Sequence, residues 1–267
     1  MNGVLLRHVL RAQSVKLLVV CLGLACWDAL MPIVYEAFGV QFRALLASGA
    51  IPSQFAEFGG GDVFSLSGAI ALGFIHPIAI ILVWVFAVGL AAGAVAGERQ
   101  RGTLEVLLAR PISRRAVYLT HLIATLVLVG IALAAALAGA LTASTLLGIS
   151  GQLKLANMPF LWLNAWLLWG ALAAIALGAS VSFDRLTPAL GVALAVTVVE
   201  YFLEVLGSLW PAAKGLQPYS LFHYLDPKRL LNAGPDPGHA ALLAVVAACA
   251  IGYALVVFPR RDLAAPS

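Results

Sequence analysis

Three carboxylates stand where a carboxylate is costly. Asp28, Glu200 and Glu204 each fall inside a long apolar run, and an ionisable group within hydrocarbon usually faces a partner, a cavity or a route for cargo. The i, i+4 spacing of Glu200 and Glu204 puts both on one helix face. The structural alternative is that they are protonated or capped by neighbouring hydroxyls, or that Glu204 reaches the outer interface. His76, beside Pro77, reads as an interfacial histidine or a proton relay. These four groups lack a compact ligand spacing, so no metal site is expected. Cys21, Cys26 and Cys249 lie inside apolar runs and read as small apolar residues, neither a disulfide framework nor ligands. Acid–base catalysis would need two of the ionisable groups at one cavity, and their scatter over three segments without a nucleophile motif argues against an intramembrane enzyme.

The second constellation is a charged island, Gly97 to Arg115, reading GERQRGTLEVLLARPISRR between two apolar stretches. Helical spacing gathers Glu98, Arg101 and Glu105 on one side with Leu104, Leu107 and Leu108 beside them, which predicts a short amphipathic helix over Gly97–Arg110. Pro111 ends that helix, because the residue before a proline avoids helical geometry, and Ser113 is placed to cap a new one running on through Arg114. Gly102 leaves a position without a side chain where another surface could approach. A helix, a forced bend and a second helix predict a rigid protrusion; an ordinary charged turn would explain the arginines but neither the length nor the amphipathy.

The elements that must position these groups follow from composition. Hydrophobic residues make up 62% of the 267, charged residues 10%, and the mean hydropathy is +0.99, which describes a polytopic all-α membrane protein. A spanning helix needs about 20 apolar residues at about 1.5 Å each, and six segments qualify. They are Leu17–Ala37, Ile70–Ala96, Tyr118–Leu147, Phe160–Ser180, Ala189–Leu209 and Ala240–Phe258, within a single domain over residues 1–267. With the N-terminus inside, eleven of the sixteen Lys and Arg residues lie on the cytoplasmic side and five outside, so both termini are expected in the cytoplasm. The positive charge therefore reflects topology; no basic stripe with interleaved aromatics suggests nucleic acid. Arg7, Arg11 and Lys16 resemble the n-region of a signal peptide, but the apolar run continues past Cys26 to Ala37, which argues against cleavage.

Residues Val4–Lys16 set Arg7, Arg11 and Ser14 against Leu5, Val9 and Ala12. This is either an amphipathic helix in the headgroup layer or a basic flank that sets topology. Gly89, Gly93 and Gly97 make a smooth stripe for helix contact, read first as packing within one subunit. Trp162, Trp166 and Trp169 share one face and read as an aromatic belt. Phe38–Asp62 and Trp210–Gly238 are the outer segments. The second, with five of the thirteen prolines, reads as a folded cap or re-entrant structure, since Leu221, Phe222 and Tyr224 suit free solution poorly.

The run Glu98, Gly102-Thr103-Leu104-Glu105, Leu107-Leu108, Arg110-Pro111-Ile112-Ser113-Arg114 resembles the signature E-x-x-x-G-T-L-E-x-L-L-x-x-P-x-S-R of ABC-2 type transporter permeases, which lies between the second and third of six spans. The N-terminal segment, six spans, long outer loop before the last span and the ending Phe258-Pro259-Arg260-Arg261-Asp262-Leu263 are similar as well. One departure is His121, where many members carry Lys shortly after the bend. The resemblance implies that the island is a coupling helix seated on a separate ATPase subunit. Glu98, Arg101 and Glu105 would then make polar contacts, Leu104 and Leu107 fill a groove, Pro111 keep the lever rigid, and Gly102, Thr103, Arg110 and Arg114 complete the segment. The first and fifth spans would contribute to the subunit interface and the route, which makes Asp28, Glu200 and Glu204 candidate pathway or gate residues. No G-x-x-x-x-G-K-[ST] occurs, so no cofactor is expected on this chain and ATP would act through the partner. Expected partners are that ATPase, a second permease subunit, in a homodimer or a heterodimer, and the lipid bilayer of an inner membrane. The family's cargoes include drugs, lipids, glycans and peptides, export being the commoner direction. One branch supports copper-site maturation of nitrous oxide reductase, so an ATPase-coupled transmitter acting on an extracytoplasmic partner is the alternative.

Overall fold

The computed structural model describes residues 2–49, 62 and 64–261, and among these every regular element is helical. Helix α1 (Gly3–Ala12) starts where the Asn2 side chain accepts from the Leu5 amide at 3.0 Å, the usual remedy for an unpaired first-turn donor. Val9 is buried, while Arg7, Arg11 and also Ala12 are exposed. Gln13 separates α1 from α2 (Ser14–Ala47), whose 34 residues would extend about 50 Å at ~1.5 Å each, well past one hydrocarbon thickness. The expected first span, Leu17–Ala37, is thus the middle of a longer helix. Residues 50–61 of the first outer segment, and Asp262 and Leu263 of the basic ending, lie outside the described residues.

The second span is not one straight helix. It is α3 (Leu66–Ile75) and α4 (Pro77–Gly93), bent by 43° at His76. His76 precedes a proline and takes extended geometry, φ −67 and ψ 142, while its Nδ1 accepts from the Ile78 amide at 3.3 Å and Pro77 opens α4. The short helices α5 (Ala96–Gln100) and α6 (Thr103–Leu108) follow, then α7 (Arg114–Leu146), α8 (Met158–Ser182), α9 (Leu186–Leu209), α10 (Pro227–Ala233) and α11 (Pro237–Arg260). Among the described residues five helices are long and apolar enough to cross a membrane, and counting the bent α3–α4 pair as one span gives six. The chain is a multi-pass membrane protein.

Helix α8 is the centre of the bundle, packing on α4, α7, α9 and α11. Its run of small buried residues, Gly170, Ala171, Ala173, Ala174, Ala176 and Gly178, lets those neighbours come close. The backbones of α2 and α7 approach closely: a Cβ added at Gly139 would lie 2.1 Å from the Ala25 carbonyl oxygen. Trp162, Trp166 and Trp169 do not form a belt. The indole Nε1 atoms of Trp162 and Trp166 donate to the Gly130 and Leu126 carbonyls of α7 at 2.9 and 2.8 Å, and Trp169 is buried edge-on against Phe222. Gly130 opens the α7 surface to those rings, so the stripe forms a seam between two helices.

At one end of the bundle, short 3₁₀ turns at Pro211–Tyr219 and Phe222–Tyr224 lead into α10, and Leu221, Phe222, Leu225, Leu230 and Leu231 are buried beneath them. This is a folded cap. It is fastened by Lys228 to Asp62 at 2.7 Å and by Lys154 Nζ to the Asn232 carbonyl at 2.6 Å. Asp62 in turn accepts from the Phe64 and Ser65 amides ahead of α3.

Candidate functional site: the charged island and its base

The island occupies the end of the bundle opposite the cap, and it differs from the expected single helix. Gly102 sits at φ +70, a left-handed conformation that L side chains resist, and splits the segment into α5 and α6. Thr103 Oγ1 reaches back across the break to the Glu98 carbonyl at 3.0 Å and the Glu98 carboxylate at 2.6 Å, and Arg101 pairs with the same carboxylate. Burial would raise the Glu98 carboxyl, but the hydrogen bonds from Thr103 and Arg101 and the guanidinium charge outweigh it and hold the group below its ordinary 4.5. Glu98 and Arg101 therefore clasp α5 to α6. His121, buried on α7, lies within electrostatic reach of the clasp.

Leu104 is 1% exposed and belongs to the bundle core, contrary to the expectation that it fills a partner's groove. The break at Gly102 turns α6 so that Leu104 faces inward and Val106, 66% exposed, faces out. Glu105 and Arg110 are exposed with Val106, and Leu107 is half-buried. Pro111 is exposed and the chain stays non-helical until Ser113, whose Oγ accepts from the Ala116 amide at 3.2 Å and starts α7 as the spacing predicts. Arg114 does not point outward. Its guanidinium donates to the Phe258 and Arg261 carbonyls at 3.2 and 2.5 Å, satisfying the otherwise unpaired carbonyls at the end of α11.

Several residues that carry this geometry are ones the motif does not contain. Arg99, 7% exposed, reaches Asp184 in the α8–α9 link at 2.5 Å, and Arg261 pairs with the same carboxylate while donating to the Val181 carbonyl at 2.9 Å. Gln100 Oε1 accepts from the Leu186 amide, opening α9, at 2.9 Å. Ser180 Oγ, fully buried, donates to the Ala92 carbonyl at 2.7 Å and accepts from the Val95 and Ala96 amides at 3.0 Å. One hydroxyl thus satisfies the junction of α4 and α5. The island is locked to α8, α9 and α11 by side chains at its base while α6 presents an exposed face. The sequence signal for this was slight: an acidic residue in a two-charge link, opposite a basic ending.

The intramembrane carboxylates separate into two situations. Glu200 Oε2 accepts from the Leu221 amide at 2.6 Å and its carbonyl accepts from Ser220 Oγ at 2.6 Å. Glu204 Oε1 accepts from Gln217 Nε2 at 3.0 Å, and its other oxygen lies 3.6 Å from His223 Nδ1. Both carboxylates hold the cap. Asp28, 1% exposed, has no hydrogen-bond partner among the described residues and lies against Gly73 of α3, where an added Cβ would fall 2.4 Å from Oδ1. The neighbouring Trp27 Nε1 donates to the Gly73 carbonyl at 3.1 Å and its ring packs tilted against His76 with centroids 4.7 Å apart, so this corner holds the bend in place. The structure does not bring Asp28 together with Glu200 and Glu204. Nor do Gly89 and Gly93 pack on a helix: nothing lies within 4 Å of a Cβ added at either, and both line an open groove of about 1350 Å³.

No curated protein matches the chain. The profile of the ABC-2 family transporter proteins covers residues 15–263, all but the two ends, and the chain belongs to that family.

Proposed function

We propose that this chain is the transmembrane subunit of an ATP-driven exporter of the ABC-2 type, and that a separate ATPase subunit docks on residues 97–115. The observation that carries the reading is the division of labour within the island. Arg99, Gln100 and the Ser180-bound α4–α5 junction key it to the spans, while Glu105, Val106 and Arg110 stand clear on its exposed face. A push on α6 is delivered through α5 to Asp184, and from there to α8, α9 and α11, because those contacts are buried or charge-assisted and do not yield independently. In this arrangement the island and both termini face the cytoplasm, α1 lies in the headgroup layer of the inner membrane, and the cap faces out. Two copies assemble with two ATPases through apolar faces left exposed on α2 and α9, such as Ile33 and Phe202.

Glu200 and Glu204 act in this scheme as cap anchors through which movement of α9 repositions the outer segment, rather than as a lining that touches cargo. Glu98, Arg101 and Thr103 shape the docking segment from within, and Gly102 sets its turn. Arg114 and Leu104 hold its base. The test is co-purification from membranes in mild detergent with candidate ATPase chains. Wild type is expected to recruit one of them, Glu105→Lys and Val106→Asp to lose it while remaining folded, and Arg7→Gln to behave as wild type. Recruitment that survives both island substitutions contradicts the docking assignment.

A further inference from the structure

The open groove between α1, the first turns of α2, the last turns of α4 and the island is built for an amphiphile. Its apolar wall is formed by the exposed Val15 and Val19 from α2 and by Val85, Phe86 and Leu90 from α4, with Gly89 and Gly93 leaving a smooth floor. From Val85 to Gly93 that wall runs about 12 Å at ~1.5 Å per residue along the spanning helix. Its mouth is polar and basic. Lys16, Arg101 and Arg110 line the groove with a single carboxylate, Glu98, and that carboxylate is already engaged by Arg101 and Thr103. Lys16 and Arg110 pair with no carboxylate among the described residues.

We infer that this groove binds an anionic phospholipid of the cytoplasmic leaflet, with its headgroup between Lys16 and Arg110 and an acyl chain along α2 and α4. The inference rests on the membrane orientation proposed above. Charge complementarity selects the occupant: two unneutralised cations at the mouth attract an anion, and the apolar wall below lies within hydrocarbon, where a soluble anion or a cytoplasmic protein does not reach. A second copy seated here by two-fold symmetry would bring Lys16 and Arg110 against the same residues of its partner, which like charge opposes. The site joins α1 to the island, so a lipid held in it bridges the two elements that flank the docking segment.

The test is native mass spectrometry of the purified full-length chain in detergent, titrated with phosphatidylglycerol or with phosphatidylcholine of the same acyl composition. Wild type is expected to retain phosphatidylglycerol roughly tenfold better or more, since each basic residue near an anionic headgroup is worth about fivefold. The double variant Lys16→Gln/Arg110→Gln is expected to lose most of that preference. Arg7→Gln/Arg11→Gln removes the same charge from residues outside the groove and is expected to keep it. Gly89→Leu, at a position with open space around it, fills the floor and is expected to lower retention of both lipids with no loss of thermal stability. It serves as the independent arm should the basic double variant not fold. Equal retention of the two lipids by wild type overturns the proposal. So does equal loss from both double variants, which would assign the preference to net charge, or unchanged retention by Gly89→Leu, including the case in which that variant instead breaks a dimer.

Discussion

Asp184 shows how one exposed carboxylate can organise a buried cation. Arg99 is nearly inaccessible, and its charge is tolerated there because Asp184 stands 2.5 Å away with Arg261 on the same oxygen. Asp184→Ala leaves Arg99 without that partner, but the carboxylate side chain is 59% exposed, so solvent screening reduces the loss. Thermal unfolding of the purified subunit is expected to register about 1–2 kcal/mol of destabilisation, with ATPase stimulation falling further than stability. The Glu98 clasp carries a pH expectation. Its folded carboxyl titrates below 4.5, so the group contributes stability above its unfolded value and loses it only as pH falls through the lower folded value. Melting temperature attributable to the clasp, wild type minus Glu98→Gln, is therefore expected to hold above the ordinary 4.5 and to shrink only as pH falls below it. A difference that collapses between pH 7 and 5 would contradict the clasp. Residue-scale chemistry was the least legible part of the sequence. Asp28, Glu200 and Glu204 looked alike as acids in apolar runs, yet two fasten a cap and the third packs on a glycine, because what decides their role is which distant segment folds over them.

The helices themselves were legible, and their breaks less so. Apolar length and the Ser113 cap foretell α7, α8, α9 and α11 to within a few residues, since a membrane leaves helix as the economical way to satisfy the backbone. The bend at His76 follows from the proline after it, which keeps His76 extended and opens α4. The division at Gly102 was hidden, because helical spacing continues through Leu104, Leu107 and Leu108 and only the sign of φ reveals the turn. Two contrasts test these elements. Leu104→Asp places a charge in the core and is expected to abolish folded protein, while Val106→Asp, one turn-face away, is expected to leave melting within about 0.5 kcal/mol of wild type. Gly139→Ala forces a methyl onto the Ala25 carbonyl and is expected to cost about 1–3 kcal/mol or more by prising α2 from α7, whereas Gly89→Ala is expected to be near neutral. Similar losses at the two glycines would contradict the packing described for α2 and α7.

At the scale of the molecule, two fastened ends are joined by one central helix. The island end is tied by Arg99, Asp184, Arg114 and Arg261, the cap end by Glu200, Glu204, Lys228 and Asp62, and α8 packs on the helices that run between them. A subunit built this way is suited to carrying a displacement from one end to the other as a body. Its central claim is that an ATPase seats on the exposed face of α6 and nowhere near the cap. Replacing the native cysteines and placing single cysteines at Val106, 66% exposed on α6, and at Tyr219, 76% exposed on the cap, allows both ends to be probed in one assembled complex. With a short thiol-to-amine crosslinker, Val106→Cys is predicted to join the ATPase chain in high yield, with the yield changing on nucleotide binding, and Tyr219→Cys to give no such product. A crosslink from Tyr219→Cys, or none from Val106→Cys in a complex that still hydrolyses ATP, would contradict the account.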